Sequence, residues 1–372
     1  MAAPASMATR FQDQMKIYGE LSKVRLSALV VMTSSAGYLM ADWGAVTMGP
    51  LVAVSAGTAL AACSANTFNQ VWEVSHDALM KRTAQRPLPS GRISKPHALA
   101  FGVGAGAAGT AVLATCNPLT AALGAANIGL YALVYTPMKQ RSEWNTWAGA
   151  LVGAIPPLMG YAAATGTIAT PAAALVASTL FLWQFPHFFA LAWRLRHDYA
   201  RGGFAMVPVN DPTGARTADL VYKYSLYLAP LPVMAAAADV TSWMFAVEGM
   251  AINGYLIHLA RGFVADRTTA NSKKVFMCSL WYLPALLSLM VFHKKPTTDS
   301  NLEENEGLNA AAEALRGVGA KACIHEALVS SDAPEASMLP CPVVIADEAG
   351  EKVVGGVQTA VAAVEDLGVS VQ

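Results

Sequence analysis

Nine long apolar stretches separated by short polar connections constrain this chain more than any other feature of its sequence. They lie at residues 26–43, 51–72, 97–116, 119–135, 146–164, 170–193, 220–238, 241–259 and 275–292. Each is long enough, or nearly so, to cross the roughly 30 Å hydrocarbon core of a bilayer as a helix. Because lipid cannot satisfy open backbone groups and the alternation of a barrel strand is absent, we predict an all-α polytopic membrane protein with nine transmembrane helices.

The amino-acid composition agrees with a chain that faces lipid. Of the 372 residues, 54% are hydrophobic and only 13% are charged, about half the charged share of a soluble domain. Residues 296–372 hold 13 of the 25 acidic residues but only three of the 25 lysines and arginines. We therefore divide the chain into an N-terminal segment (1–25), a basic membrane domain (26–295) and an acidic extension (296–372) that is either flexible or a small appended unit, and we expect no nucleic-acid partner.

Lysines and arginines occur in alternate connections. They lie in the N-terminal segment and after the second, fourth, sixth and eighth stretches, whereas the connections between these carry none. The positive-inside rule places all the basic loops and the N-terminus on one face, the cytoplasmic or matrix face. An odd number of spans then places the acidic extension on the other face. Lys294 and Lys295 are the one exception to the alternation of charge, because they follow the ninth stretch. Residues 1–20 are not rich in arginine and are a poor transit peptide, so we expect the targeting information to lie elsewhere.

A polar stripe ends the second apolar stretch, in the segment NQVWEVSHDALMKRTAQRP at 69–87. Its members are spaced four residues apart: Asn69, Glu73, Asp77 and Lys81. On a continuous helix such residues drift by only about 40° per step. Oxygen ligands in this arrangement suit Mg²⁺, which takes one or two carboxylates plus substrate phosphate oxygens, and Arg82 and Arg86 add positive charge. The alternative is a helix end whose charges merely reach the interface, but acids at membrane depth are costly and usually functional.

Two further segments carry candidate residues. In WQFPHFFALAWRLRHDY (183–199), His187, Arg194 and Asp198 fall within about 40° of one another if the helix is continuous. His187 is either a hydrogen-bonded core residue or a ligand, and its aromatic neighbours are more typical of packing. In YTPMKQR (135–141), Lys139 is either an anion-binding residue or an interfacial anchor beside a tyrosine.

Together these segments resemble the UbiA superfamily of intramembrane prenyltransferases, and within it the family of haem O synthases, or protohaem IX farnesyltransferases. The family pattern joins Asn-x-x-x-acid-x-x-x-Asp to Met-x-Arg-Thr-x-x-Arg-Pro, followed by a Tyr-Thr-Pro-x-Lys stretch. The segments NTWAGALVGAIPPLMGY (145–161) and WQFPHF (183–188) extend the likeness over residues 20–292. One departure is that UbiA relatives usually have two spaced acids in the second motif, where this chain has Arg194 and Asp198.

The resemblance implies a UbiA-type bundle of nine helices around a central cavity. It also implies transfer of a farnesyl group from farnesyl diphosphate to a vinyl group of haem b with addition of water, giving haem O for haem A and cytochrome oxidase biogenesis. The catalytic residues and Mg²⁺ ligands carried over are Asn69, Glu73, Asp77 and Asp198. The diphosphate-binding residues are Lys81, Arg82, Arg86 and Lys139, and the haem contacts are His187 and Arg194. The implied location is the mitochondrial inner membrane, with the motif loops and N-terminus in the matrix, and the implied partners are membrane lipid and haem A synthase.

Three other functions remain open on the sequence. A UbiA enzyme of quinone biosynthesis would prenylate an aromatic ring instead of haem. A haem or metal transporter would also carry polar stripes on membrane helices, but it would not consume farnesyl diphosphate. An assembly scaffold would show no turnover.

Overall fold

A computed structural model describes residues 7–41 and 45–295 together with two short strands near the C-terminus. The chain divides into two compact units, Met1–Asn309 and Ala310–Gln372. In the second unit, β1 (Ile345–Ala346) pairs antiparallel with β2 (Lys352–Val353), so that Ile345 lies opposite Val353. The rest of the predicted acidic extension lies outside the described residues.

The described part of the first unit is helical. Its elements are α1 Met7–Ser22, α2 Val24–Leu39, α3 Met48–Trp72, α4 Val74–Leu79, α5 Lys95–Ala114, α6 Pro118–Gly129, a π-helical segment Leu130–Tyr135, α7 Thr136–Met138, α8 Asn145–Thr165, α9 Pro171–Arg194, α10 Arg196–Arg201, α11 Ala215–Leu228, α12 Leu231–Ala237, α13 Trp243–Ala265 and α14 Thr269–Phe292. The predicted all-α membrane class is therefore confirmed.

Six helical segments within the described residues are long and apolar enough to cross a membrane. They are α3, the stretch from α6 to α7 (Pro118–Met138), α5, α8, α9 and α14, and they measure 20 to 25 residues. At 1.5 Å per residue, such helices span about 30 to 38 Å. The apolar helix α2 is shorter, at 16 residues, and neither α11–α12 nor α13 meets the same combination of length and apolarity. Each predicted stretch coincides with one of these helical segments, but the count of nine spans stays a prediction.

The helices pack through close backbone contacts as well as side chains. The clearest case is the pair α2 and α8, where small residues face one another. A Cβ atom on Gly160 would lie 1.8 Å from the Ser34 carbonyl oxygen, and one on Gly37 would lie 2.0 Å from that of Pro157. Any larger residue at either glycine would force the helices apart, as in other membrane helix pairs that meet through small residues.

Three predicted helices are interrupted, and two of the breaks bear on the candidate site. The helix α3 ends at Trp72, and the next residue, Glu73, has φ −95° and ψ 9°; α9 ends at Arg194, and the next residue, Leu195, has φ −103° and ψ 9°. In the third, α11 ends at Leu228 and α12 begins at Leu231, next to Pro230, whose ring lacks the N–H that a continuous helix needs. Sequence periodicity did not reveal these breaks because each changes the backbone at only one or two positions.

The breaks correct two predictions. The stripe does not continue to Lys81, because α4 ends at Leu79 and Lys81 lies exposed in the turn that follows. His187 and Asp198 do not share one continuous helical face, because His187 lies in α9 and Asp198 lies in α10, beyond the break.

Candidate active site

The first motif places three oxygen-bearing side chains in the protein interior. Asn69 lies in the last turn of α3, Glu73 at the break and Asp77 in α4, and each is at most 3% exposed. Helical hydrogen bonds between residues four apart continue on both sides of the break. The Glu73 N–H donates to the Asn69 carbonyl at 3.0 Å, and the Asp77 N–H donates to the Glu73 carbonyl at 2.7 Å. The break therefore reorients the chain while the three side chains keep their four-residue spacing.

A cation accompanies each of these side chains. Arg86 Nη1 lies 2.6 Å from Asp77 Oδ2, and Lys139 Nζ lies 2.9 Å from Glu73 Oε1. Lys23 Nζ donates to Asn69 Oδ1 at 2.8 Å. Two of these cations, Arg86 and Lys139, come from the predicted diphosphate-binding set. The pairing brings three positive groups and two carboxylates into one buried cluster.

Lys23 was not among the predicted site residues. It lies between α1 and α2 with a left-handed backbone, φ 48°. Burial, together with the charges of Arg86 and Lys139, lowers the pKa of Lys23 to about 7. An anion that entered the cluster would favour the charged form of this lysine.

The free carboxylate oxygen of Asp77 indicates that the motif is suited to a cation. Asp77 Oδ2 is bonded to Arg86, but Asp77 Oδ1 is buried and has no hydrogen-bond partner among the described residues. An unsatisfied buried carboxylate oxygen is costly, and a hard cation would satisfy it. The described residues contain no cluster of three or more His, Cys, Asp or Glu side chains that could enclose a metal. The donors therefore fit Mg²⁺ held by one or two carboxylates and by substrate oxygens rather than a site built only of protein.

The second motif meets the loop that follows α4. Asp198 Oδ1 accepts a hydrogen bond from the Lys81 backbone N–H at 3.2 Å and pairs with Arg201. Burial by itself would raise the pKa of Asp198, but the hydrogen bonds from Arg201 and from the Lys81 backbone outweigh it, so that the pKa lies below its usual range. His76 Nδ1 also lies 2.6 Å from the Gly202 carbonyl oxygen. The two motifs are thus joined through their loops.

The remaining predicted residues of this region lie apart from the buried cluster. The side chains of Lys81 and Arg82 are exposed. The Arg194 guanidinium carbon lies 5.4 Å from the centre of the Phe276 ring. Among the described residues, Asp198 contacts the Lys81 loop and Arg201. No contact among these residues links Asp198 to Asn69, Glu73 or Asp77.

A cavity of about 510 Å³ adjoins the buried cluster. Its walls come from α2, α3, α6 with the π-helical segment, α8, α9 and α14, and most of the lining is apolar. At one end the lining includes Asn66, three residues before Asn69, and Tyr135, whose ring centre lies 4.6 Å from Lys139 Nζ. The half-exposed side chains of Leu29 and Leu280 also line it. The cavity could hold a long apolar chain whose polar end reaches the cluster.

His187 belongs to the wall of this cavity. Its Nδ1 lies 2.8 Å from Ser279 Oγ, which itself donates to the Phe276 carbonyl at 2.6 Å. The imidazole stacks on Trp183 with ring centres 4.7 Å apart. Because the Ser279 hydroxyl hydrogen is directed at Phe276, Ser279 accepts from His187 Nδ1–H, and Nε2 keeps the lone pair. Ser279, which the sequence analysis missed, lies 92 positions away in the chain, so no local pattern reveals it.

Comparison with known proteins adds the family context. The UbiA prenyltransferase family matches residues 30–283. The mitochondrial protohaem IX farnesyltransferase of Arabidopsis thaliana is 44% identical over 82% of this chain and 71% of its own length. That of Homo sapiens is 44% identical over 78% of this chain and 65% of its own length. The protohaem IX farnesyltransferase of the bacterium Solibacter usitatus is 36% identical over 75% of this chain and 99% of its own length.

Solved structures share the fold at low sequence identity. A digeranylgeranylglyceryl phosphate synthase superposes with a TM-score of 0.64 at 14% identity, over 76% of this chain and 98% of its own. A UbiA homologue from Archaeoglobus fulgidus bound to GPP and Mg²⁺ superposes with a TM-score of 0.56, also at 14% identity, over 74% of this chain and 99% of its own. This likeness establishes the architecture of the helical bundle.

Proposed function

Since this chain belongs to the UbiA prenyltransferase family, we propose that it transfers the farnesyl group of farnesyl diphosphate to a vinyl group of haem b with addition of water, giving haem O. One observation carries the proposal. A largely apolar cavity extends from the side of the buried Asn69–Glu73–Asp77 cluster to His187, which supports the proposal that one space serves both the diphosphate and the haem. The relatives named protohaem IX farnesyltransferase, including one matched over 99% of its length, support the choice of acceptor.

The cluster would bind and stabilise the diphosphate. Lys139, Arg86 and Lys23 would turn from the motif side chains towards the diphosphate oxygens, and Asn69, Glu73 and Asp77 would hold Mg²⁺. When bound, Mg²⁺ supplies Lewis-acid stabilisation of the charge that develops on the leaving diphosphate. Positive groups fixed in advance in a water-poor site are especially effective at this task. Asp198 would support the same region through the Lys81 loop, and Lys81 and Arg82 would attract the anion from its exposed side.

The cavity would direct the carbon chemistry. The bond between farnesyl C1 and the diphosphate oxygen breaks with both electrons passing to diphosphate, and the vinyl π electrons form the new carbon–carbon bond. This leaves a cation on the vinyl carbon next to the porphyrin ring, and addition of water there gives the alcohol. The apolar walls would keep water from the farnesyl cation until the carbon–carbon bond has formed. His187 Nε2 would bind the haem iron, and Arg194 would lie at the edge of the haem site.

The mitochondrial relatives support a location in the mitochondrial inner membrane as a multi-pass protein. We propose that the N-terminus and the motif loops face the matrix, where the diphosphate would enter. Membrane lipid surrounds the bundle, and haem A synthase would take up the product.

An acceptor-choice assay tests the function against its rivals. Purified full-length protein with Mg²⁺ and labelled farnesyl diphosphate is given either haem b or 4-hydroxybenzoate. We expect label in a haem product only. Label in the aromatic acid would favour the quinone-pathway alternative, and movement of haem across vesicles without use of farnesyl diphosphate would favour a transporter.

Limited proteolysis of sealed mitoplasts and inverted inner-membrane vesicles tests the sidedness. Protease on the matrix side is expected to cleave the loops at 81–95 and 194–223, whereas the extension from residue 296 is expected to be cut only from the opposite side. The physical reason is the alternation of lysine and arginine between connections. If both termini are cut from one face, the nine-span topology is wrong.

Deletion of residues 297–372 is expected to leave catalysis within about twofold of the full chain. Each residue of the buried cluster and of the cavity wall lies upstream of the deletion, so the truncated chain keeps all of them. Turnover of the truncated and full-length proteins is compared at equal amounts of inserted protein. A truncated protein that inserts stably and forms no haem O would contradict this prediction.

A further inference from the structure

The side-chain amide of Gln184 in α9 has its orientation fixed by two backbone carbonyls. Gln184 Nε2 donates to the Ala150 carbonyl at 2.9 Å and to the Leu180 carbonyl at 3.0 Å. If the amide nitrogen and oxygen were exchanged, the amide oxygen would face two carbonyl oxygens and could not bond to either. The hydrogen-bond network therefore assigns the two atoms. Both amide N–H groups are therefore hydrogen-bonded within the protein, and Oε1 is the one polar atom of the side chain that can still bind a ligand or a water.

The opposing helix leaves room for this oxygen. Gly153 of α8 faces the amide, and a Cβ atom there would lie 2.2 Å from Gln184 Oε1. Both residues line the 510 Å³ cavity. The Gln184 amide thus packs directly against the Gly153 backbone at the cavity wall, and any side chain at position 153 would displace the amide.

The oxygen also lacks a protein donor, unlike most polar groups of the cavity wall. Asn66 donates to the Ser22 carbonyl, Thr58 pairs with Ser34, and His187 pairs with Ser279. No described residue donates a hydrogen bond to Gln184 Oε1. A polar oxygen in apolar surroundings is stable only when it is hydrogen-bonded, so a bound water or substrate group is its expected partner.

Other oxygens on the cavity wall share this condition, but Gln184 is the best placed for haem chemistry. Asn127 Oδ1 and Thr146 Oγ1 are buried without a partner among the described residues, yet they lie on α6 and at the start of α8. Gln184 stands three residues before His187 on one helix, a spacing at which Cβ atoms lie about 5–6 Å apart. A porphyrin bound through its iron to His187 would therefore bring its periphery, where the vinyl groups lie, beside this amide.

We propose that Gln184 Oε1 holds the water molecule that adds to the vinyl-derived cation, an inference that rests on the function proposed above. The amide accepts a hydrogen bond from the water, which points an oxygen lone pair at the carbon. That lone pair forms the carbon–oxygen bond, and one proton of the water passes to the diphosphate released in the same turnover. Gln184 itself is not protonated, because an amide is too weak a base; it is a water-positioning residue.

Loss of this water would change the product rather than only the rate. Without a nearby water the cation can instead lose a proton from the neighbouring carbon, which gives an alkene whose mass is lower than that of haem O by one water. Carbon–carbon bond formation comes earlier and does not need the amide. The ratio of alkene to alcohol is therefore a readout that a general loss of stability would not move.

The test measures this ratio by mass spectrometry for two variants and a matched control. Gln184→Met keeps the side-chain length and removes the oxygen, and Gly153→Ala pushes the unchanged amide from its place. The control, Gly149→Ala, lies one turn earlier on α8 and lines the same cavity, but its Cβ would meet Tyr135 rather than Gln184. All three proteins are purified and incubated with haem b, farnesyl diphosphate and Mg²⁺ beside the parent chain.

We expect the alkene-to-alcohol ratio to rise about tenfold in Gln184→Met and in Gly153→Ala, roughly the effect of one hydrogen bond, and to stay at the parent value in Gly149→Ala. If Gln184→Met fails to insert, Gly153→Ala provides the same comparison. Farnesylated product with the parent ratio in the variants that insert would overturn the role of Gln184 and leave the proposed function intact. A parent chain that forms neither product would overturn the proposed function and this inference with it.

Discussion

Replacing Asp77 with alanine is expected to lower haem O formation by about 100-fold or more, the scale on which loss of a key electrostatic group slows an enzyme. Asp77 is fully buried, its Oδ2 binds Arg86 at 2.6 Å, and its Oδ1 has no partner among the described residues. The variant would lose a proposed Mg²⁺ ligand and would also leave Arg86 without its counterion. Charge stabilisation of the departing diphosphate would fail because Mg²⁺ is no longer held and because Arg86 loses the contact that positions it in the cluster.

The buried Asp77–Arg86 pair could also affect folding, so the design needs controls. Asp77→Asn keeps the side-chain size and removes the charge, and it is expected to lose activity to a similar extent. Asp239→Asn removes a charge from an ion pair with Lys295 in which Asp239 is 78% exposed. Asparagine tolerates the left-handed backbone at this position, φ 59°, so this variant is expected to behave like the parent chain. Membrane insertion, thermal stability and turnover are measured for all three. Near-normal product formation by a folded Asp77→Ala protein would refute the metal assignment.

His187 and Asp198 are expected to contribute to the binding of different substrates. His187 lies on the wall of the apolar cavity with Nε2 available, whereas Asp198 holds the loop that carries Lys81 and Arg82. We therefore expect His187→Ala to raise the half-saturating concentration of haem b by about tenfold or more, the change that follows from loss of about 1.4 kcal/mol of binding energy. Asp198→Asn should instead weaken the use of farnesyl diphosphate and shift the Mg²⁺ dependence to higher concentration.

Titration of each substrate against each variant separates these roles. His258→Ala is a suitable control for His187→Ala, since it removes an exposed imidazole from α13. The alternative is that His187 only joins α9 to α14 through Ser279. In that case its loss would lower the thermal stability and impair both substrates equally, and such a result would exclude the haem-contact role.

The sequence was sufficient for the class of fold because each apolar stretch is long and is bounded by charged or turn-forming residues. The stretch at 51–72, for example, corresponds to the helix Met48–Trp72. The prediction failed where a single residue leaves helical geometry, as at Glu73 and Leu195. Periodicity averages over many residues, so it continues a helix through a break at a single residue.

The candidate site could be predicted where its residues share a local segment, or where the family resemblance supplied a residue from another segment, as it did for Lys139. The spacing of Asn69, Glu73 and Asp77 can be read from the sequence, and so can the nearby Arg86. Lys23 could not be identified in this way, because its partner Asn69 lies 46 positions away and a lone lysine before a membrane helix is typical of an interfacial anchor. The residue roles themselves stay predictions until variants are measured.

The central claim is that one cavity joins a Mg²⁺-dependent diphosphate site to haem b. The most direct measurement incubates the purified chain with haem b, farnesyl diphosphate and Mg²⁺, with and without a chelator, and determines the product mass. We expect a haem product heavier by one farnesyl group and one water, formed only when Mg²⁺ is present. Unchanged haem b after complete incubation of the folded protein, or an equal yield with the metal chelated, would contradict it.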